Sequence, residues 1–147
     1  MENKTMAFSR FLKFSGLFNI VAASLFMVPG LYRSYVEFYN EVNLCLGLGG
    51  GPIVTMDHPF YEMMVNTAGI DLVLIGVIVL LVSADPFDKI HRQIIVANGV
   101  GRTLFFFLVG YYTVSGGLLQ IFIPFAVLDL FIAGCFFCVL YKVGRPA

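Results

Sequence analysis

Charged residues are scarce in this sequence. Only 12% of its 147 residues are Asp, Glu, Lys or Arg, whereas soluble domains contain about a quarter. Nine basic and nine acidic residues cancel, so the chain lacks the basic excess that typifies nucleic-acid binding. Hydrophobic residues make up 59%, and the mean hydropathy is +0.90. This composition predicts an integral protein of the lipid bilayer.

Recognisable catalytic and metal-binding motifs are also missing. His58 and His91 are isolated, and neither H-E-x-x-H nor a serine, histidine and aspartate set occurs. Cys135 and Cys138 form C-x-x-C within one apolar run, where packing is favoured over redox or metal chemistry, and Cys45 has no second cysteine on its side of the membrane. The sequence therefore identifies no cofactor, and enzymes are the least favoured functional class.

Long apolar runs are what the chain does have. The 19 residues between Lys13 and Arg33 are uncharged, and a helix needs roughly 20 residues to cross a bilayer. The longest apolar stretch divides at YYTVSGGLLQ, where serine and glycines favour a turn. The four predicted spans lie near 14–31, 63–84, 92–113 and 117–141. We therefore predict an all-α, single-domain bundle of four transmembrane helices.

The N-terminal segment has a basic start, an apolar run and the sequence VAAS, which together resemble a signal peptide. We expect this segment to be retained as the first span.

Basic residues are unevenly divided between the two sides of these spans. Arg33 falls on one side, and seven others fall on the opposite side: Lys4, Arg10, Lys13, Lys89, Arg92, Lys142 and Arg145. The positive-inside rule then places both termini in the cytoplasm. We expect the membrane to be a bacterial inner (plasma) membrane.

Residues 32–62 join the first two spans and are longer than a helical hairpin requires. YRSYVEFYNEV predicts a short amphipathic helix, and the apolar NLCLGLGGGPIVTM is too short to span. Because the segment is too apolar to stay solvated, we expect an ordered outer cap rather than a disordered loop. GLGGGP lacks the spacing of nucleotide-binding loops, so close backbone packing is favoured over phosphate binding.

Ionisable residues inside three predicted spans reach one depth. A rise of 1.5 Å per residue places Arg102 about 15 Å from the cytoplasmic side, and Asp71 and Asp129 about 13 and 18 Å from the outer side. Burying any of them unpaired is unfavourable, so we expect Arg102 to pair with Asp71 or Asp129. Asn98 lies one turn before Arg102 on the same face, and Asn19 can face the same interior.

Two carboxylates against one guanidinium leave a formal charge of −1, which a proton, a cation or a polar ligand would neutralise. One hypothesis is therefore a protein that binds or transports a small polar, cationic or amphipathic molecule at this site, with a proton-linked mechanism. The alternative is an accessory, assembly or scaffold subunit of a larger membrane complex, in which the same residues are structural glue.

Small residues at Gly69, Gly76, Ala126 and Ala133 suit close contact between helices of neighbouring protomers. With the phenylalanine-rich faces, they predict a homo-oligomer.

Two segments, TAGIDLVLIGVIVLLVSADP (67–86) and NGVGRTLFFFLVGYY (98–112), resemble the DoxX-like group of small membrane proteins, which includes the BphX-like proteins. The two segments make up 35 of the 147 residues. It implies a compact four-helix bundle with cytoplasmic termini, in a group associated with redox accessory subunits and chaperone-like roles. It transfers no catalytic residue.

Overall fold

In a computed structural model, the described chain consists of five α-helices joined by loops and 3₁₀ turns. The structure describes residues 2–143, with side chains from residue 5 to residue 142, so Arg145 of the charge count lies outside the described residues. The α-helices are α1 (Glu2–Ser24), α2 (Leu31–Cys45), α3 (Pro59–Val82), α4 (Lys89–Val114) and α5 (Ile123–Val143). Two 3₁₀ turns, Leu25–Met27 and Gln120–Phe122, extend the end of α1 and precede α5.

Four of the helical segments are long and apolar enough to cross a membrane. They are Thr5–Met27, Pro59–Val82, Lys89–Val114 and Gln120–Lys142. The predicted all-α bundle of four spans is thereby confirmed, and the chain is an integral membrane protein. Successive spans run in opposite directions, so both ends of the described chain lie at one end of the bundle, here called the terminal end. The opposite end, which carries α2, is the cap end.

The first helix differs from the predicted span at both of its boundaries. α1 starts at Glu2, so Arg10 and Lys13 lie on the helix and do not precede it. Lysine and arginine are good helix formers, and a change in hydropathy does not by itself start a helix. The helix ends before Pro29 and Gly30, where the glycine has φ +83°.

Glycines let α1 and α3 approach closely. A Cβ atom on Gly76 would lie 2.8 Å from the Gly16 carbonyl oxygen, and one on Gly69 would lie 2.7 Å from the Phe26 backbone. α4 and α5 form the second close pair, in which Gly99 lies against the Phe137 ring.

The small residues from which we expected self-association are used within the chain. Gly69, Gly76, Ala126 and Ala133 are all buried by the chain's own helices. Small residues allow close approach between helices of one chain as readily as between protomers. They therefore give no support to a homo-oligomer.

The apolar core joins the two helix pairs near the terminal end. It contains Phe8, Leu12, Val79, Val82, Ile95, Ile132, Phe136 and Leu140. The Phe8 and Phe136 rings meet edge to face at 6.3 Å, which connects α1 to α5. Large side chains therefore lie between the α1–α3 pair and the α4–α5 pair, whereas glycines let the two helices within each pair approach closely.

The connection between α1 and α3 is folded onto the cap end by hydrogen bonds. Gly51 N donates to the Gly116 carbonyl oxygen at 2.9 Å, and Gln120 N donates to the Gly49 carbonyl oxygen at 3.1 Å. A Cβ atom on Gly50, which has φ +101°, would lie 2.2 Å from the Leu118 carbonyl oxygen. The glycine run therefore serves close backbone packing against the 116–120 turn.

Side chains of α2 complete this attachment. Asn43 Nδ2 donates to the Leu48 carbonyl oxygen at 2.9 Å, while its Oδ1 accepts from Ile121 N at 3.0 Å. The Tyr39 ring packs on Phe122 with a centroid separation of 5.1 Å. Burial and the hydrogen bond with Tyr35 raise the pKa of the Tyr39 hydroxyl above its usual range, so it stays neutral.

The start of α4 is fixed by Asp88, whose carboxylate accepts from Ile90 N at 2.9 Å and from His91 N at 3.3 Å. These backbone hydrogen bonds hold the pKa of Asp88 below its usual range. The cap sets the residue at which the helix carrying Arg102 begins.

Glycine contact between α1 and α3 can be tested with matched alanine substitutions. Gly76→Ala is expected to destabilise the protein by about 1–3 kcal/mol, because the new methyl group meets the α1 backbone. Gly101→Ala is the control, since an added Cβ there has no atom within 4 Å, and it should be neutral or slightly stabilising. Thermal unfolding in detergent measures both, and equal stability would contradict the contact.

Candidate intramembrane polar site

Arg102 lies inside the bundle, with 5% of its side chain exposed. Its Nε donates to Asn98 Oδ1 at 3.0 Å, one turn earlier on α4. Nη1 pairs with Asp129 Oδ1 on α5. Nη2 donates to Asn19 Oδ1 at 2.7 Å on α1. The guanidinium therefore connects α1, α4 and α5.

Ser15 supplies the remaining contacts from α1. Arg102 Nη2 lies 2.9 Å from Ser15 Oγ and 3.4 Å from its carbonyl oxygen. Ser15 is one helical turn from Asn19, so both side chains meet the guanidinium from one face of α1. We call the five residues Ser15, Asn19, Asn98, Arg102 and Asp129 the polar cluster.

The polar cluster is balanced in charge, and every guanidinium nitrogen has a protein acceptor. One guanidinium faces one carboxylate, and Asp129 is itself largely shielded, with 14% of its side chain exposed. Nε has one acceptor, Nη1 has one and Nη2 has three, so all three nitrogens of Arg102 are held by the protein. Such an arrangement stabilises a buried cation.

Four of the five sequence-predicted site residues meet in this cluster. Arg102 pairs with Asp129, Asn98 supports it, and Asn19 reaches it from the first span. Sequence reasoning missed Ser15, although its position four residues before Asn19 was a usable signal. His91 lies at the start of α4, outside the cluster, where its Nδ1 is 2.7 Å from the Asp85 carbonyl oxygen.

Asp71 does not join the polar cluster, contrary to our expectation. Its side chain is exposed on α3, and within residues 5–142 it has no hydrogen bond or ion pair. The expected surplus of one carboxylate is therefore absent from the cluster and lies on the outside of the bundle.

The rotation of α3 explains this placement. At 100° per residue, Asp71 lies about 200° around the helix from Gly69 and about 140° from Gly76, the two glycines that face α1. Its level also differs, because Asn19 of the cluster packs beside Gly76, five residues or about 7.5 Å along α3. Close glycine contact thus turns Asp71 away from Arg102.

The exposed carboxylate lies near the middle of an apolar helix. Asp71 is the thirteenth of the 24 residues of α3, in which an 18-residue window has a mean hydropathy of 2.4. Inserting an aspartate at a span centre costs about 2.5–3.5 kcal/mol, which the other side chains of α3 can offset. The helix can therefore insert with this group, but lipid supplies the group with no hydrogen-bond donor.

A cleft of about 430 Å³ lies on the same side of α3, nearer the cap end. It is lined by Pro29, Pro59, Glu62, Met63, Asn66, Thr67 and Ile70. Asn66 Oδ1 is shielded from solvent, yet it has no hydrogen-bond partner among the described residues. Thr67, which lines the cleft, is one turn before Asp71, so the carboxylate follows the cleft on the same face of α3.

Metal and thiol chemistry receive no geometric support in the part of the chain that the structure describes. No group of three or more His, Cys, Asp or Glu side chains there is placed to hold a metal ion. The cysteines at 45, 135 and 138 are free thiols. The C-x-x-C pair lies on the continuous helix α5, as expected.

No family model matches this chain, and comparison with curated proteins and with solved structures finds no similar protein.

The buried pair can be tested by a double-mutant cycle. Arg102→Leu is expected to lower the free energy of unfolding by about 3–5 kcal/mol, because Asp129 is left buried and unpaired. Combining it with Asp129→Asn should recover part of that loss. Thermal unfolding in detergent measures each variant.

Asp71→Asn is the matched control, since the exposed side chain has no partner to lose, and it should unfold close to the parent. An Arg102→Leu protein as stable as the parent would contradict the role of the pair.

Proposed function

We propose that the protein is an accessory or assembly subunit of a larger membrane complex, with no catalytic activity of its own. Two carboxylates within the membrane spans have opposite surroundings: Asp129 is paired inside the bundle, whereas Asp71 is exposed on an apolar helix. Intramembrane charges are rare and are normally paired. An unpaired carboxylate on the outside is typical of a surface that another membrane protein covers.

The polar cluster supports the same proposal because its contacts hold α1, α4 and α5 together. A binding or transport site needs groups that can exchange protein contacts for ligand contacts. Each nitrogen of the Arg102 guanidinium already has a protein acceptor, and its charge is balanced by Asp129. A fixed bundle of this kind suits a scaffold that presents a surface.

Binding of a small cationic or amphipathic molecule is the second candidate function, and the unpartnered Asn66 Oδ1 favours it. Such a molecule would occupy the α3 cleft and not the polar cluster, because Asn66 and Thr67 line the cleft with polar side chains.

We propose further that both termini are cytoplasmic, in a bacterial inner membrane, and that the chain is related to the DoxX-like proteins that it resembles. The basic residues at the terminal end support this orientation: Arg10, Lys13, Lys89, Arg92 and Lys142 lie on the described helices toward that end.

Cysteine accessibility tests the orientation. In a cysteine-free background, a cysteine at Asp88 should be labelled by an impermeant maleimide only after the inner face is opened. A cysteine at Asp57, which is 93% exposed in the cap, should be labelled in intact cells. The reverse pattern would show that the proposed orientation is wrong.

Photocrosslinking in native membranes tests the proposed function. A photoreactive residue at Leu74, one turn after Asp71, should yield one discrete polypeptide adduct, because this flank faces the partner. The same residue at Leu104 on α4 is the matched control, since both positions are exposed to similar extents, 53% and 58%. Lipid adducts alone from Leu74 would contradict the proposal.

A further inference from the structure

We propose that one flank of α3 binds a transmembrane helix of a different protein, and that this helix carries an arginine or lysine that pairs with Asp71. The acceptor flank is defined by Asn66, Thr67 and Asp71. The inference rests on the proposed function and adds the chemistry of the partner.

The exposed acceptor of this flank is the Asp71 carboxylate, which has no partner in the described chain. Asn66 Oδ1 also lacks a partner there, but it is shielded from solvent. Glu62, nearer the cap end, differs because it already accepts from Gly30 N at 2.9 Å and approaches Arg33 at 3.5 Å. The Asp71 carboxylate therefore requires a donor from outside the chain.

The surroundings of Asp71 favour a cationic donor on a helix. Ile70, Leu72, Leu74 and Ile75 are exposed beside it, so the complementary surface is apolar except at one level. Asp71 lies twelve residues from Pro59, or about 18 Å from the cap end of α3. Because the hydrocarbon core is about 30 Å thick, this depth is beyond lipid headgroups. A transmembrane helix brings apolar surface and a fixed cation to this depth together.

A second copy of the chain does not supply that cation. Among the described residues, Arg102 is already paired with Asp129 inside the bundle, and Arg33 lies at the cap end beside Asp57. Lys13 is three residues before Gly16, which contacts Gly76, so it lies well toward the terminal end from Asp71. If two copies met in the same orientation, none of these basic side chains would lie at the level of Asp71.

Designed single-span peptides test the pairing directly. The probes are two polyleucine helices of 20 residues, one with a central arginine and one with leucine throughout. Energy transfer between a labelled peptide and the labelled full-length protein is measured in phosphatidylcholine vesicles. We expect the arginine peptide to bind at least tenfold more tightly than the leucine peptide, and equal binding would overturn the inference.

Variants locate the effect at Asp71. Asp71→Asn should reduce binding of the arginine peptide to that of the leucine peptide, while Asp71→Glu should retain it. Asp57→Asn is the matched control, because it removes a carboxylate from the exposed cap and should leave binding unchanged. The comparison of the two peptides on the unmodified protein requires no variant to fold. Unchanged binding in Asp71→Asn would overturn the inference.

Crosslinking from Leu74 separates this inference from the proposed function. Loss of the polypeptide adduct on Asp71→Asn substitution supports the inference. An adduct that persists in Asp71→Asn overturns the inference and leaves the subunit role standing. Complete absence of a polypeptide adduct in the unmodified protein overturns the subunit role, and an adduct with a second copy of this chain overturns the heterologous partner.

Discussion

The guanidinium of Arg102 is the contact that the rest of the bundle depends on. Glycines hold α1 close to α3, and α4 close to α5, but large side chains separate the two pairs. Arg102 crosses that separation, because its donors reach Asp129 on α5 and Ser15 and Asn19 on α1. In lipid, apolar faces of helices have little preference for one another over lipid tails. A directional, charge-assisted contact therefore fixes how the pairs are oriented.

Different interactions hold the bundle on either side of this level. Toward the terminal end the core is apolar and depends on shape, as in the edge contact of Phe8 with Phe136. At the cap end, backbone groups of residues 49–51 bond to the 116–120 turn, and Asn43 bonds to Gly49 and to Ile121. The contacts at each end of the bundle fix the positions of the helix ends there. The level at which Arg102 meets Asp129 is thus defined from both sides.

The common level of Arg102 and Asp129 could be predicted from the sequence, whereas the level of Asp71 and the rotation of α3 about its axis could not. Counting residues brought Arg102 and Asp129 to one level, and the spacing of four residues placed Asn98 beside Arg102. The same count failed for Asp71 because the direction in which α3 faces is set by Gly69 and Gly76 against α1. Four spans followed from apolar length, but the true start of α1 did not, since charged residues continue a helix readily.

The exposed position of Asp71 links the stability of α3 to what covers it. Among the described residues the carboxylate has no hydrogen bond or ion pair, yet it weakens the preference of α3 for lipid. A partner of the kind proposed above, which supplies a cation to the folded bundle and not to its separated helices, would also stabilise the bundle. Asp129 cannot act in this way because Arg102 already neutralises it inside. Aspartate is therefore paired inside the bundle at position 129, and at position 71 it is exposed on the outside of α3.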